Sequence, residues 1–337
     1  MNEASGFEKK NVIVFGGAGF IGSNLCERLL KDAKVICIDD LSGGTSKNIE
    51  HLMQFEDFEF LKHDITTALD LGAFPELEKF KVKFQGIQEI YNFACPTTAK
   101  EFDKYKVQTL RANSVGVINT LEVARTYGAK YVYASSSVVY GPRREGDGVC
   151  TEMTEGSMDH LSARACYDEG KRFGETCVTT YAQLYGIDAK IARIFRTYGP
   201  REKLFDAQLI PDFITAALGN EDIVIYGDES FSSSLVYVSD VVDGMLRLMK
   251  APAAIGPVNF GGEDDVKMVD VAKMIVEMTQ SSSVIRFEPP LIFTSPLCLP
   301  SIQKAKEQLG WLPLVRLQDG LLKTIDYTIA HKQMMGL

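Results

Sequence analysis

Apolar and polar positions change their period along this chain in a regular way. Short apolar runs stand at 11–15, 34–39, 57–62, 88–93, 130–134 and 188–194. Between them apolar residues recur every three or four positions, as at Leu25, Leu29 and Leu30. The runs predict strands and the spacing predicts amphipathic helices, at 20–32, 107–127, 163–185 and 205–219. Strands alternating with helices predict a parallel sheet covered on both faces. After Tyr198-Gly199-Pro200 the rhythm weakens. Short strands at 223–226 and 234–238, helices at 239–250 and near 267–279, a glycine pair at 261–262 and a last helix near 317–332 complete the pattern. This second part reads as a smaller lobe closing over the carboxyl ends of the strands, where open α/β sheets bind ligands.

The first strand runs into Gly16-Gly17-Ala18-Gly19-Phe20-Ile21-Gly22. Glycines at 16, 19 and 22 permit a tight turn, close approach of backbone to a pyrophosphate, and close helix–strand packing. The helix that follows offers free N–H groups and a positive dipole end to phosphates. The second strand ends in Asp39, about 20 residues on, where a carboxylate accepts from the ribose hydroxyls of NAD and repels the extra phosphate of NADP. Asp40 adds negative charge and no arginine follows closely. NAD is the cofactor expected.

Tyr167 and Lys171 stand four residues apart in a predicted helix, so they share a face. A phenol is a poor base at neutral pH, and a nearby ammonium favours its phenolate. The pair therefore predicts a tuned proton acceptor, and Ser135–Ser137 lies between it and the glycine turn.

Composition narrows the classes. With 337 residues the chain can bury a large core. A net charge of −9 without a basic stripe argues against a nucleic-acid partner. No apolar run reaches membrane-spanning length and the start, Met1–Lys10, is polar. Seven cysteines are scattered without metal-ligand spacing or disulfide-scaffold density, and Cys26, Cys37 and Cys177 fall in apolar patterns as buried thiols. A reducing cytoplasm fits, and four isolated histidines suggest no metal site.

The chain resembles the extended short-chain dehydrogenase/reductase family of NAD-dependent nucleotide-sugar epimerases, dehydratases and decarboxylases. The marks are the turn 16–22, Ala94-Cys95-Pro96, the run 134–141, Tyr167 with Lys171, the run 193–200, Tyr237-Val238-Ser239-Asp240, and 309–313. Within the family the run 164–172 is most similar to UDP-glucuronate decarboxylases. The resemblance implies an α/β, Rossmann-type doubly wound parallel sheet with a smaller C-terminal substrate-binding lobe. The NAD-binding domain would span 1–195 with 235–262 returning to it, and 196–234 with 263–337 would form the lobe. Ser136, Tyr167 and Lys171 would be catalytic, the serine holding a sugar C4 hydroxyl whose proton Tyr167 takes. Gly16, Gly19, Phe20, Ile21, Gly22, Asp39, Asp40, Asp64, Ile65, Ala94 and Asn113, with Tyr167 and Lys171, would bind NAD. Ser136, Ser137, Arg196 and Arg201 would meet substrate. A homodimer through the helices holding Asn113 and Tyr167 is implied, with Val115, Ile118, Val123, Val178 and Tyr181 compatible with that contact or with packing on the sheet.

Several positions depart from that pattern. Val138 stands where decarboxylases and dehydratases carry a glutamate, Glu169 points to another helix face, and Phe102 replaces a tyrosine. The substrate-gripping arginines expected within Ser232–Ser234 and near Leu297–Pro300 are absent, and Arg196 replaces an asparagine. Arg143, Arg144, Arg196, Arg201 and Arg286 are the candidate replacement cations. The reading that results is oxidation of a sugar C4 hydroxyl to a 4-keto intermediate, ending in 4-epimerisation or decarboxylation of a UDP-sugar or UDP-uronate. A reductase of a non-nucleotide carbonyl compound and a non-catalytic NAD-binding protein stand as alternatives.

Overall fold

The computed structural model describes residues 9–98, 101–144, 146–204, 206, 209–290 and 297–335. Six parallel strands form in sequence order: β1 Lys10–Phe15, β2 Ala33–Asp39, β3 Phe58–Lys62, β4 Glu89–Asn92, β5 Lys130–Ser136 and β6 Ala189–Ile194. A seventh, Pro257–Phe260, pairs parallel with β6 from the far end of the chain. The order across the sheet is 257–260, β6, β5, β4, β1, β2, β3, which reverses direction at β1. This is the doubly wound α/β architecture that the alternating pattern predicts.

Strand side chains alternate between two cores. Val12, Val14, Val35 and Cys37 face one, with helices Phe20–Leu29 and Val238–Lys250 and buried Trp311 packed on them. Ile13, Phe15, Ile36 and Ile38 face the other, under helices Val117–Tyr127 and Ala165–Tyr185. Both faces are therefore dry, which explains the unbroken apolar strand runs.

Residues beyond Arg196 carry a further apolar cluster that includes Leu209, Phe213, Ile223, Ile225, Met268, Val271, Ile275 and Leu321. Helices Leu209–Gly219, Met268–Thr279 and Leu317–Met335 surround it, with short strand pairs 223–226/285–288, 197–198/236–237 and 232–233/266–267. The helix expected over 205–219 begins at Leu209; residues 205, 207 and 208 lie outside the described residues.

Two elements differ instructively from expectation. The helix expected over 107–127 begins earlier, at Phe102, and runs to Tyr127 through a π-helical segment, Ala112–Gly116. Gly116 faces Ile65 so closely that a Cβ would stand 2.7 Å from Ile65 Cδ1. The strand expected to end at 134 continues through Ser135 and Ser136.

Cys150 and Cys298 form a disulfide, which the scattered cysteine spacing gave no reason to expect. Cys150 N–H donates to Leu299 O at 2.7 Å and Ser301 N–H to Cys150 O at 2.9 Å, so backbone bonds bracket the link. Cys26, Cys37 and Cys177 are buried free thiols.

Candidate active site

One cavity of about 1210 Å³ runs along the carboxyl ends of the strands. That is larger than most single-ligand sites and suits a dinucleotide with a second ligand. Gly16, Gly19, Phe20, Ile21, Gly22, Asp39, Asp40, Asp64, Ile65 and Ala94 line it, as do Ser136, Ser137, Tyr167, Lys171, Arg196 and Arg201, the last held beside helix Phe20–Leu29 through Glu27. Asn113 is not among the lining residues. It sits behind the wall, donating to Thr109 O at 3.0 Å and Cys95 Sγ at 3.1 Å and accepting from Tyr133 O–H at 3.1 Å. It therefore braces Cys95 rather than facing the cavity.

The glycine end is shaped by what is missing. A Cβ on Gly22 would stand 2.2 Å from Gly16 O, and Gly16 itself holds φ +73° against the Ala94 backbone. Helix Phe20–Leu29 starts here, and its first-turn N–H groups have no intrahelical acceptor. Asp39 is buried and accepts from Ala18 N–H at 3.0 Å and Leu41 N–H at 2.8 Å. Burial raises its carboxyl while those two bonds hold it down. Asp40 accepts from Ser42 N–H and Gln108, each at 2.8 Å, and Asp64 from Thr66 N–H at 2.8 Å. A phosphate-accepting helix start, a cradle that only glycine fits and a carboxylate at the end of β2 together fit an adenine dinucleotide.

Strand β5 and helix Ala165–Tyr185 carry the remaining chemistry. Ser136 and Tyr167 share the cavity wall, and Ser136 acts to lower the Tyr167 phenol. Lys171 is buried, donates from Nζ to Ala134 O at 2.8 Å, and lies 5.8 Å from the Tyr167 ring centre. The expected lowering of the phenol by Lys171 is not what dominates. Burial pushes the Tyr167 phenol well up, Cys95 adds to that, and Ser136 and the Arg164 guanidinium offset part of it. Burial likewise lowers the Lys171 ammonium.

Beneath Ser136 a network fixes the strand to the helix. Ser135 Oγ donates to Glu175 at 2.6 Å, and Arg193 grips Glu175 through two bonds of 2.9 and 2.7 Å. Arg193 also donates to Tyr140 O–H at 2.9 Å, which donates to Asn259 at 2.7 Å. Glu175 stands one turn after Lys171, so it ties the turn below the lysine to β5 and β6. Such bidentate partially buried pairs define geometry closely.

Of the candidate cations, Arg143 pairs with Asp265 at 2.8 Å, Arg286 pairs with Asp222 at 2.5 Å, and Arg144 meets Ser157 at 3.2 Å; none lines the cavity. Arg201 lines it, with its guanidinium held by Glu27 and His51. Arg196 lines it and donates to Ser233 at 3.1 Å, inside the stretch where an arginine was expected. Val138 and Phe102 both line the cavity as buried apolar groups, and Glu169 faces away, near Arg172. Among the lining residues that the sequence analysis does not single out are Arg164, paired with Asp168 at 3.1 Å, and Glu202 and Lys203. A residue three before the tyrosine, in register with it on the helix, is the signal that marks Arg164.

Residues 12–261 match the NAD dependent epimerase/dehydratase family. UDP-glucuronic acid decarboxylase 1 of Danio rerio is 34% identical over 321 residues, 95% of this chain and 73% of that protein. UDP-glucuronic acid decarboxylase 6 of Arabidopsis thaliana is 35% identical over 315 residues, 92% and 86% of the two chains. The solved UDP-glucuronic acid 4-epimerase from Bacillus cereus, in complex with UDP-glucuronic acid and NAD, superposes with a TM-score of 0.82 at 26% identity, covering 96% of this chain and 99% of that one. With the glycine cradle, the β5 serines and the Tyr167/Lys171 pair at one cavity, this chain belongs to the NAD dependent epimerase/dehydratase family.

Proposed function

We propose that this protein oxidises the C4 hydroxyl of a UDP-sugar or UDP-uronate to a transient 4-keto sugar, ending in 4-epimerisation or decarboxylation. The observation that carries the reading is that Ser136, Tyr167 and buried Lys171 line one cavity with the glycine cradle. NAD, when bound, supplies a reversible hydride acceptor with a cationic ring. Gly16, Gly19 and the start of helix Phe20–Leu29 would hold its pyrophosphate, and Asp39 its adenosine ribose.

Ser136 orients the sugar hydroxyl toward Tyr167, and Tyr167 takes its proton. Because burial holds the phenol up, that transfer needs positive charge at the site, which Lys171 at 5.8 Å is placed to supply. Val138 offers no proton-transferring group where an acid would be needed for dehydration. Epimerisation needs only that the keto sugar turn over, and loss of carbon dioxide is favoured by a keto group β to a carboxylate.

Residues 1–195 with 235–262 form the cofactor domain in this reading, and 196–234 with 263–337 the substrate lobe. A homodimer is supported by apolar residues left exposed on the helices around Asn113 and Tyr167: Val107, Leu110, Val115, Phe173 and Leu184. Val123 and Val178 are buried against the sheet instead, and Ile118 and Tyr181 pack on the same core. No described helix is long and apolar enough to cross a membrane.

The test is incubation of purified protein with NAD and a panel of nucleotide sugars and uronates, with products followed by mass spectrometry and NMR. Unchanged mass with inverted C4 establishes epimerisation, and loss of carbon dioxide establishes decarboxylation. No conversion of any UDP compound overturns the reading.

A further inference from the structure

Arg196 stands just past the carboxyl end of β6, two residues after Ile194, which is paired with Ser136 across the sheet. Its Nε donates to Ser233 Oγ. Among the described residues no carboxylate lies within ion-pair distance of it and no protein group accepts from its two terminal nitrogens, and the residue lines the cavity. Burial disfavours its charge, and the like charge of Arg164 acts in the same direction. A half-buried guanidinium at a cavity wall, without a carboxylate partner, is placed to receive an anion.

The acid that interacts with Arg196 is Glu202, and it does not neutralise it. Burial pushes the Glu202 carboxyl up to about 8, with Arg196 pulling down and Asp212 pushing up. At neutral pH Glu202 is therefore largely protonated, and its buried Oε2 has no hydrogen-bond partner. Three other cations on this wall have carboxylate partners: Arg164 with Asp168, Arg201 with Glu27, although its Nη1 is left without an acceptor, and Lys203 beside Asp206 at 3.7 Å. Arg196 differs from these three in having no carboxylate at ion-pair distance among the described residues, and it stands next to a neutral acid that adds an O–H donor.

We propose that Arg196 takes an anionic group of the substrate, either the carboxylate of a uronic acid or the diphosphate of the nucleotide, and so selects the substrate class. A guanidinium edge fits either group through two parallel hydrogen bonds. The proposal rests on the nucleotide-sugar reading above, and its test separates the two.

NAD-loaded wild-type protein, Arg196→Gln and Arg196→Lys are titrated calorimetrically with UDP-glucuronate, UDP-glucose, UDP, free glucuronate and inorganic pyrophosphate. NAD affinity equal to wild type shows that each variant is folded. Loss of a charged hydrogen-bonding partner is expected to weaken the ligand by roughly ten- to a hundredfold in Arg196→Gln, with partial recovery in Arg196→Lys. If the carboxylate is the partner, UDP-glucuronate and glucuronate lose affinity while UDP-glucose does not. If it is the diphosphate, all three UDP compounds and pyrophosphate lose affinity alike. Equal affinities in wild type and Arg196→Gln for every ligand that binds overturn the proposal and leave the nucleotide-sugar reading intact. Binding of glucuronate or pyrophosphate through Arg196, with no binding of any UDP compound, upholds the proposal and overturns that reading. Binding of none of the five by the wild type overturns both.

Discussion

At the glycine-turn end of the cavity the wall is largely backbone: Gly16, Gly19 and Gly22, the first turn of helix Phe20–Leu29, and the Ala94 amide behind them. Around Tyr167 and Arg196 it is side chain, contributed by Ser136, Arg164, Arg196 and Glu202 from segments far apart in sequence. A wall of backbone has few ways to change while keeping its shape, because each glycine is fixed by what touches it. A wall of side chains can change ligand without changing fold, since each residue stands on an element that other contacts already hold. The two ends should therefore fail differently when altered.

The largest effect is expected where the two ends meet. Tyr167→Phe removes only the phenol O–H and should lower turnover by about a thousandfold or more, leaving NAD affinity unchanged in a fluorescence titration. Retained turnover would remove the tyrosine from the chemistry. At the backbone end, Gly22→Ala places a Cβ 2.2 Å from Gly16 O, so the turn must open. NAD affinity should fall on the order of a hundredfold, as expected for a close contact that backbone cannot relieve. Wild-type affinity would show that the cradle is softer than its contacts imply.

A side-chain change at the same end should be milder. Asp39→Ala removes the acceptor of the Ala18 and Leu41 amides and is expected to weaken NAD by about tenfold and relax discrimination against NADP. An unaltered NAD to NADP ratio would mean that Asp39 only braces the loop.

The smallest effect lies at the substrate end and is read through pH. Glu202 is held up to about 8 in the folded protein against an ordinary 4.5, so the folded form keeps a proton that the unfolded chain releases. A retained proton means that stability falls as pH rises from about 4.5 to 8 and levels off above. Glu202→Gln should flatten that part of the profile in denaturation experiments. An identical slope in the variant would place the acid in a more solvated setting than the structure gives it.

The same division explains what could be read from the sequence. The glycine turn, Asp39 and Tyr167/Lys171 are local patterns, each contained in a few residues, and the structure brings them to one cavity. The sheet was legible because strands buried on both faces are continuous apolar runs. Pro257–Phe260 was missed as a seventh strand because four residues beside a glycine pair carry no periodic signal. The Ser135–Glu175–Arg193 network joins positions 40 and 18 residues apart, which no local spacing reveals. Glu202, between Arg201 and Lys203, has the look of a solvated charge in sequence; only folding shows that one of its oxygens is buried. The tuning of Tyr167 was misjudged for a related reason. Spacing shows which groups are near, but not how far water is excluded, and here burial outweighs the neighbouring cations.

The Cys150–Cys298 link joins positions 148 residues apart, so it makes a covalent ring of the middle of the chain. Tyr167, Lys171, Arg196 and Glu202 all lie within that ring. The link acts on the unfolded ensemble, because a closed ring has far fewer shapes than an open strand. In the chain-entropy picture a ring of this size favours the folded form by on the order of 5 kcal/mol. Endurance to heat in this enzyme would then follow the thiol poise of its surroundings, a quantity set by no residue that touches the substrate.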